Sequence, residues 1–307
     1  MSVPTQGTPI SGLAELLKLT ANKDVLIIQT ENGTKKMQAS VLCHELLELL
    51  VGNSAQAHNA IFRGKNLTDV YTEDEISAKV QADDWSDLFN GDYIEKEITT
   101  TYGGTEKVRL RFAHFDYFME NGDSAVSKHH IVMVPEDCFV TTAKMNETNT
   151  TAGGYVGCAM HTTVLPVYYT ALNSALNGHI LKHRRLLSNT VSTTGASGAA
   201  TSLTGYASNW AWADVNLCLM SEPMLYGGMV CSSSLYDVGD ANIQLALFRH
   251  APDMKIARLG YDGGSRCSFW LSAVAASTYF AHCDGYGNAN CNYASNLSGV
   301  RPYFLFA

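Results

Sequence analysis

Histidine and carboxylate residues occur in several short groups that could carry metal or acid–base chemistry. His44-Glu-Leu-Leu-Glu48 begins like the zinc motif H-E-x-x-H, but its second histidine is absent, so it predicts an ordinary helix face. His129 and His130 are adjacent, and on a strand they point to opposite faces, so they are unsuited to binding one metal together. His114 and Asp116 share a face of a strand and could meet His129 or His130 from a neighbouring strand. We expect a polar network at a strand edge.

No other motif in the sequence indicates a particular reaction. The sequence contains no G-x-S-x-G elbow, no Walker loop and no dinucleotide fingerprint. Its eight cysteines lie at positions 43, 138, 158, 218, 231, 267, 283 and 291, and none forms a C-x-x-C pair. Mostly buried free thiols are the prediction for a reducing compartment. We therefore expect no enzyme activity, no cofactor and no metal.

Composition restricts the remaining classes of function. The chain has 307 residues, of which 46% are hydrophobic and 16% charged, as in a folded protein. Its net charge of -8 disfavours binding to nucleic acid or to an anionic membrane. No apolar run approaches the roughly 20 residues that span a bilayer, so membrane insertion is not expected. The first residues lack the pattern of a signal peptide, which predicts synthesis in a cytoplasm.

Residues 1–52 form a predicted unit of their own. Residues 24–30 have the pattern of a strand, 31–34 that of a tight turn and 35–38 that of the return strand. Ser40 can cap a helix over 41–51, whose leucine-rich face indicates docking or self-association. Residues 53–59 are small and polar, as in a linker.

Residues 60–307 show a mixed pattern of helices and strands, which predicts an α+β fold. Alternation at 107–113 and the apolar run at 129–135 predict strands. Pro166 can open a helix that continues to about Leu176. Ser188 to Gly205 is rich in Ser, Thr, Gly and Ala and predicts a mobile loop.

The last 43 residues, Ser265 to Ala307, contain no Lys, Glu, Gln or Met, whereas the preceding 264 contain 12, 13, 6 and 10 of them. The codons of these four amino acids all end in a purine. The side chains that remain, Asn, Tyr, Ser, Asp, His and Cys among them, are accessible from the asparagine codon AAY when its adenines are replaced. Tyr, Ser, Gly and Asn are also the residues that dominate antibody binding loops. This composition indicates a diversified binding surface; a lysine-poor core strand with a polar loop is the alternative.

A family resemblance rests on the mostly apolar and small residues that lie between these polar positions. Trp270-Leu271, Val274, Phe280-Ala281, Gly287, Ala294-Ser295 and Gly299-Val-Arg-Pro302 with Phe304 resemble the variable region of phage proteins that retroelements diversify. Upstream stretches, including Lys144-Met-Asn146, Gly153-Gly-Tyr-Val156 and Met220-Ser-Glu-Pro-Met224, are similar to structural proteins of gut phages. Residues 1–52 more loosely resemble the virion-attachment modules of phage fibres. The chain departs from the family where Ser272 and Ala273 replace the Arg and the small or acidic residue that often follow Trp-Leu.

The resemblance implies a C-type lectin-like domain over 60–307 with a variable region at about 265–303, preceded by an attachment or oligomerisation module. It implies a homotrimer on the virion, on a tail fibre or the capsid surface, that contacts other virion proteins and binds a protein or glycan receptor on the host cell. Trp270, Val300 and Phe304 are expected in the core, and Arg301 as a buried guanidinium bound by backbone carbonyls. The expected solvent-facing binding positions are Cys267, Ser268, Phe269, Ser272, Ala273, Thr278, Tyr279, His282, Asp284, Tyr286, Asn288, Asn290, Asn292, Tyr293 and Asn296.

Two alternatives to receptor binding come from other classes of function. A capsid or tail decoration protein without a ligand would have these side chains covered by neighbouring subunits. An oxidase of the formylglycine-generating type shares the lectin-like fold, and it would need a redox-active or copper-binding cysteine pair. Cys283 and Cys291 are the candidates for that pair.

Overall fold

A computed structural model of the protein describes residues 25–30, 33–38, 50–197, 203–233 and 243–307. The chain divides into two units, Met1–Asn53 and Ser54–Ala307. In the first unit, β1 (Val25–Thr30) pairs antiparallel with β2 (Gly33–Gln38). The two predicted strands are therefore confirmed. Most of the helix predicted over 41–51 lies outside the described residues.

The second unit contains short helices and a larger number of strands. Its helices are α1 (Ala55–Asn59), α2 (Glu73–Gln81), α3 (Leu165–Ala175), α4 (Glu222–Tyr226) and α5 (Ala246–His250). A π-helical turn (Met160–Val164) leads into α3, and a 3-10 turn (Pro252–Lys255) follows α5. Its strands are β3 (Tyr93–Thr100), β4 (Gly104–Phe115), β5 (Ile131–Pro135), β6 (Ile180–Leu181), β7 (His183–Ala196), β8 (Thr204–Val215), β9 (Leu217–Leu219), β10 (Ala257–Arg258), β11 (Arg266–Cys267), β12 (Phe269–Ala276), β13 (Tyr279–Cys283), β14 (Ala289–Tyr293) and β15 (Pro302–Phe306).

The main sheet has the strand order β3-β4-β5-β15-β6, and β9 also pairs with β15. The C-terminal strand β15 thus lies between β5 on one side and β6 and β9 on the other. All five residues of β15 and all five of β5 are buried, as expected for central strands covered on both faces. The end of the chain is therefore held inside the core.

A second sheet, β12-β13-β14, carries most of the residues between 269 and 293. A long antiparallel hairpin, β7-β8, and the short pair β10-β11 complete the strand pairings between named strands. All of these pairings are antiparallel. Along the chain, the helices lie before, or between, groups of strands. The fold of the described residues is therefore mixed helix and sheet, in agreement with an α+β class.

The linker predicted at 53–59 begins at the boundary between the two units, but its residues from Ala55 to Asn59 form α1 in the second unit. Ser54 caps this helix by accepting a hydrogen bond from the amide of Ala57 at 3.2 Å. Asn59 is buried, and its side chain donates to the carbonyl of Phe115 and accepts from the amide of the same residue, at 2.9 and 2.7 Å. Asn59 therefore satisfies buried backbone groups, whereas Asn53, Ser54 and Gln56 are exposed.

The mobile loop predicted over Ser188–Gly205 is also wrong for the described residues, since β7 continues to Ala196 and β8 begins at Thr204. Ser and Thr are compatible with strands, and their hydroxyl groups here bond to neighbouring segments. The Ser188 hydroxyl accepts from the amide of Tyr155 at 3.1 Å, and the Ser197 hydroxyl donates to the carbonyl of Ala275. The helix predicted from Pro166 to about Leu176 is confirmed as α3.

Candidate functional site

The C-terminal residues contain a buried frame, which consists of Trp270 on β12 together with Gly299, Val300, Arg301 and Phe304. The Trp270 side chain has no exposed surface, and its Nε1 donates to the carbonyl of Ala143 at 2.8 Å. Val300 and Phe304 are likewise fully buried. The prediction that these three residues belong to the core is confirmed.

Arg301 places a guanidinium inside this frame. Its Nε donates to the carbonyl of Pro135 at 2.8 Å and its Nη1 to that of Met254 at 3.0 Å. The rings of Phe248 and Phe269 lie 5.5 and 5.1 Å from the guanidinium carbon. Complete burial lowers the pKa of Arg301 from its usual value. The predicted buried guanidinium bound by carbonyls is thus confirmed.

Gly299, the first residue of G-V-R-P, lies where no side chain fits. A Cβ on this residue would come 2.5 Å from Cys138 Sγ and 2.9 Å from the carbonyl oxygen of Ser268. The Gly299 amide donates to that same Ser268 carbonyl at 2.7 Å, and its own carbonyl accepts from the Trp270 amide at 3.2 Å. The glycine is therefore required by the close approach of two backbone segments.

The stretch Lys144-Met-Asn146 supports the same frame through its backbone. The amides of Met145 and Asn146 both donate to the carbonyl of Ala294, at 2.9 and 3.0 Å. Just before them, Ala143 exchanges two backbone hydrogen bonds with Ser298. These bonds fix the course of residues 294–298 without using their side chains.

Asp284 organises the turn between β13 and β14. Its Oδ1 accepts from the amides of Tyr286 and Asn288, at 2.8 and 2.9 Å, and Gly287 adopts a φ of 84°. Slight burial acts to raise the pKa of Asp284, but the hydrogen bonds from Asn288 and Tyr286 outweigh it and lower that pKa. This carboxylate shapes the loop in addition to facing solvent.

Two tyrosines form a platform on adjacent strands. Tyr279 on β13 lies opposite Tyr293 on β14, and their ring centroids are 4.2 Å apart. Hydrogen bonding to Tyr293 raises the pKa of Tyr279 to about 12. The Tyr279 hydroxyl is therefore uncharged at neutral pH, and the two rings, tilted by 33° to one another, present an amphipathic surface.

Asparagine side chains accept hydrogen bonds from backbone amides of β14, the outer strand of this sheet. β14 is the last strand in the order β12-β13-β14, so none of the described strands pairs with its outward-facing amides. Asn290 Oδ1 accepts from the amide of Cys291 at 2.8 Å, and Asn292 Oδ1 accepts from that of Tyr293 at 2.9 Å. Asn292 Oδ1 also accepts from Asn296 Nδ2 at 2.6 Å. Asn290 and Asn292 thus occupy donors that another strand would otherwise use.

The predicted binding positions differ in how much of each the fold exposes. The exposed ones are Tyr286, Asn288, Asn290, Tyr293 and Asn296. The half-buried ones are Cys267, Ser268, Thr278, Tyr279, Asp284 and Asn292. Tyr286 is the most exposed of the large side chains, at 74%. The hairpin β13-β14 and the turn after it hold the exposed positions.

The expectation of solvent exposure is wrong for positions on β12 and the inner part of β13. These buried positions are Phe269, Ser272, Ala273 and His282. Every residue of β12 is buried, because the segment around Met220 covers it: the amide of Ser272 donates to the Met220 carbonyl at 3.0 Å. His282 lies opposite Trp270 on the neighbouring strand, with ring centroids 5.9 Å apart, and burial lowers its pKa.

Two exposed side chains beside this group were missed by the sequence analysis. Leu297 is 62% exposed, directly after Asn296. Arg266 is exposed, and its guanidinium carbon lies 5.7 Å from the centroid of the Tyr286 ring. The signal for each was its position next to a predicted site, Asn296 for Leu297 and Cys267 for Arg266.

Cys283 and Cys291 do not form an assembled thiol pair. Cys283 lies opposite Ala289 and Cys291 opposite Ala281, so the two cysteines are offset along β13 and β14. Cys283 is buried, with Sγ directed at the carbonyl of Lys255 at 3.5 Å. Burial raises the pKa of both thiols, whereas nucleophilic or metal-binding cysteines need a lowered pKa.

The histidine and carboxylate groups form the polar network that the strand pattern suggested. Asp116 Oδ2 lies 2.7 Å from His129 Nδ1, and its Oδ1 accepts from the backbone amide of His130 at 2.9 Å. The His130 ring is buried and bonded to backbone groups through both nitrogens. His114 is separate from this network: its Nδ1 accepts from the amide of Ala246 at 3.0 Å, and burial lowers its pKa to about 3.

Asp83 joins Asp116 and His129 in a group whose ligand atoms lie within 4.8 Å of one another. Asp83 Oδ1 already accepts from Trp85 Nε1 at 2.7 Å, and Asp116 is bonded to His129 as described. Internal hydrogen bonds thus account for this group.

Among the described residues, no helix combines the length and apolar character needed to cross a membrane. No protein-family model, curated protein or solved structure matches this chain.

Proposed function

We propose that this protein is a non-enzymatic virion component of a bacteriophage that binds a receptor on the host cell surface through its C-terminal region. The observation that carries this proposal is the division of residues 265–303 into two kinds of position. Trp270, Gly299, Val300 and Arg301 form a buried frame, and side chains of Tyr and Asn project from it. A surface built in this way can change its chemistry while its backbone stays in place.

The exposed side chains suit recognition of a mixed polar and apolar receptor. Tyr286 and the Tyr279–Tyr293 pair offer large rings that lose little rotamer freedom on binding. Asn288 and Asn296 offer amides that both donate and accept hydrogen bonds. Affinity is therefore expected to come from the tyrosines, and specificity from the asparagines.

The domain that supports this surface is proposed to be a C-type lectin-like domain. Its C-terminal strand β15 is central in the main sheet, and β12-β13-β14 form a separate small sheet that presents the exposed positions. Residues 1–52 are proposed to attach the protein to the virion and to form a homotrimer. Several copies on one particle would add avidity to weak individual sites.

The test is adsorption of particles that carry alanine at Tyr279, Tyr286 and Tyr293 together. Each truncation is expected to cost about 2 kcal/mol of binding, or roughly thirtyfold in affinity, if these rings are the anchors. Tyr102→Ala is the matched control, because Tyr102 is 42% exposed, as is Tyr293, but belongs to the turn between β3 and β4. Adsorption that is undiminished in the triple variant, with an unchanged melting temperature, would exclude this surface.

Chemical labelling of tyrosine on intact particles separates receptor binding from decoration. Tyr286 should be modified on the virion as readily as in the purified protein, since a receptor must reach it. Protection of Tyr286 on the virion would instead favour a decoration protein whose side chains are covered by neighbouring subunits.

A further inference from the structure

A cavity of about 440 Å³ opens on the second unit, on elements other than the C-terminal binding surface. One wall is formed by the π-helical turn and the first half of α3, and the other by residues 214–217, from the end of β8 to the start of β9. Its volume lies within the range of small-molecule sites, roughly 300–1,000 Å³. None of its lining residues belongs to the region 265–303.

The π-helical turn gives this wall its shape. The amide of Leu165 donates to the carbonyl of Met160, five residues earlier, which widens the turn relative to an α-helix. His161 and Leu165 both line the cavity, together with Pro166 from the first turn of α3. Such turns often occur at functional sites.

Apolar side chains form much of the lining. They are Val156, Leu165, Pro166, Val215 and Leu217. Leu165, Val215 and Leu217 are buried members of the core, so this part of the wall is fixed by packing. A ligand with an apolar face could displace water from it.

Three polar side chains on these walls have no hydrogen-bond partner among the residues that the structure describes: His161, Tyr169 and Asn216. The Nδ1 atom of His161 is buried and unbonded, which is costly unless a ligand or water satisfies it. Burial also lowers the pKa of His161, so its ring is neutral at pH 7. A neutral imidazole, a phenol and a primary amide each can donate and accept a hydrogen bond.

The rim does not favour an ionic ligand. Asp214 is the one acidic residue among the described residues of the lining, and its carboxylate is bonded to Lys182 at 3.0 Å and to Arg184 at 3.1 Å. The cavity therefore offers uncharged groups of both hydrogen-bonding kinds beside an apolar wall. An uncharged ring that carries several hydroxyl groups and has an apolar face is complementary to these features.

We propose that this cavity binds a neutral sugar unit of the hexopyranose type, with hydroxyl groups bonded to His161, Tyr169 and Asn216. The site is independent of the proposed receptor surface. It would give the protein a second, small-molecule specificity.

Binding is tested with the full-length protein and a set of methyl glycosides of neutral hexoses and N-acetylhexosamines, by ligand-observed NMR and calorimetry. At least one glycoside is expected to bind with a dissociation constant of about 1 mM or tighter. The methyl glycoside of glucuronic acid serves as the charged comparison and should bind more weakly. No binding by any neutral glycoside, or preference for the charged one, would overturn the proposal.

Variants locate the bound sugar. Tyr169→Phe and Asn216→Ala should each weaken binding about tenfold, as for the loss of one hydrogen bond. Thr162→Trp, at an exposed position on the cavity mouth, should abolish binding without disturbing the core. The triple alanine variant at Tyr279, Tyr286 and Tyr293 should bind the sugar normally.

Other results would contradict this assignment. Binding that is lost in the triple tyrosine variant but kept in Thr162→Trp would place the sugar on the C-terminal surface. A change of oligomeric state caused by Thr162→Trp, measured by light scattering, would make the cavity a contact between copies of the chain.

Discussion

Replacing Trp270 with alanine should distinguish the buried frame from the exposed positions that it supports. The indole has no exposed surface, so truncation creates a cavity in a region packed on all sides. Losses for Trp→Ala in a core are about 3–5 kcal/mol of unfolding free energy. The indole also loses its hydrogen bond to Ala143, worth about 1 kcal/mol, which lies within that range. The Ala143 carbonyl keeps a second donor, the amide of Ser298, so no buried acceptor is orphaned.

The assay is equilibrium unfolding in urea, followed by circular dichroism. Tyr286→Ser is the matched comparison, because Tyr286 is 74% exposed and should change the free energy of unfolding by no more than about 0.5 kcal/mol. Trp270→Phe, which retains an aromatic ring, should fall between the two. Equal losses for Trp270→Ala and Tyr286→Ser, or a loss below about 1 kcal/mol for Trp270→Ala, would refute the division into frame and surface.

Three further predictions concern the frame, its pH dependence and the edge of the small sheet. Gly299→Ala should destabilise the protein by about 1–3 kcal/mol in urea unfolding through its contacts below 3 Å, whereas Gly228→Ala, with no atom within 4 Å, should not. The pKa of His114 falls from 6.5 to about 3 on folding, so its contribution to stability is fully present above pH 6.5 and is lost as the pH falls towards 3. His114→Gln should therefore make unfolding free energy between pH 6 and 4 less pH-dependent by up to about 1.4 kcal/mol per unit; an unchanged slope would contradict this. Alanine at Asn290 and Asn292 together frees edge amides and should increase self-association in sedimentation velocity; an unchanged sedimentation coefficient would contradict the role of these side chains at the edge.

The frame could be predicted from the sequence because its residues have few alternative roles. A tryptophan, a valine and a phenylalanine are residue types that are expected in a core. Arg301 within an apolar stretch was expected to be buried with carbonyl partners, and it is.

The exposure of the variable positions was harder to predict, because it depends on what packs from a distance. Ser272 and Ala273 have small side chains that suit either a surface or a core. Their burial follows from the segment around Met220, more than 50 residues earlier in the chain. The cavity lined by His161 and Asn216 likewise depends on two segments that are distant in the sequence, so no local sequence pattern predicts it.

The exposed and half-buried positions also differ in the hydrogen bonds that their side chains make. Asp284, Asn290 and Asn292 accept hydrogen bonds from backbone amides. A change at these three positions would therefore alter the shape of the turn and of the edge strand as well as the chemistry of the surface.

Tyr286 and Tyr293 differ from that group, because none of the described hydrogen bonds joins their side chains to the backbone. A change at either position alters what the surface offers a receptor while the backbone bonds of Asp284 and Asn292 stay in place. Substitutions in one region can thus act in two ways, through the shape of the hairpin and through the groups that it presents. Positions that change only the presented groups are the ones at which diversity can accumulate with the least loss of stability.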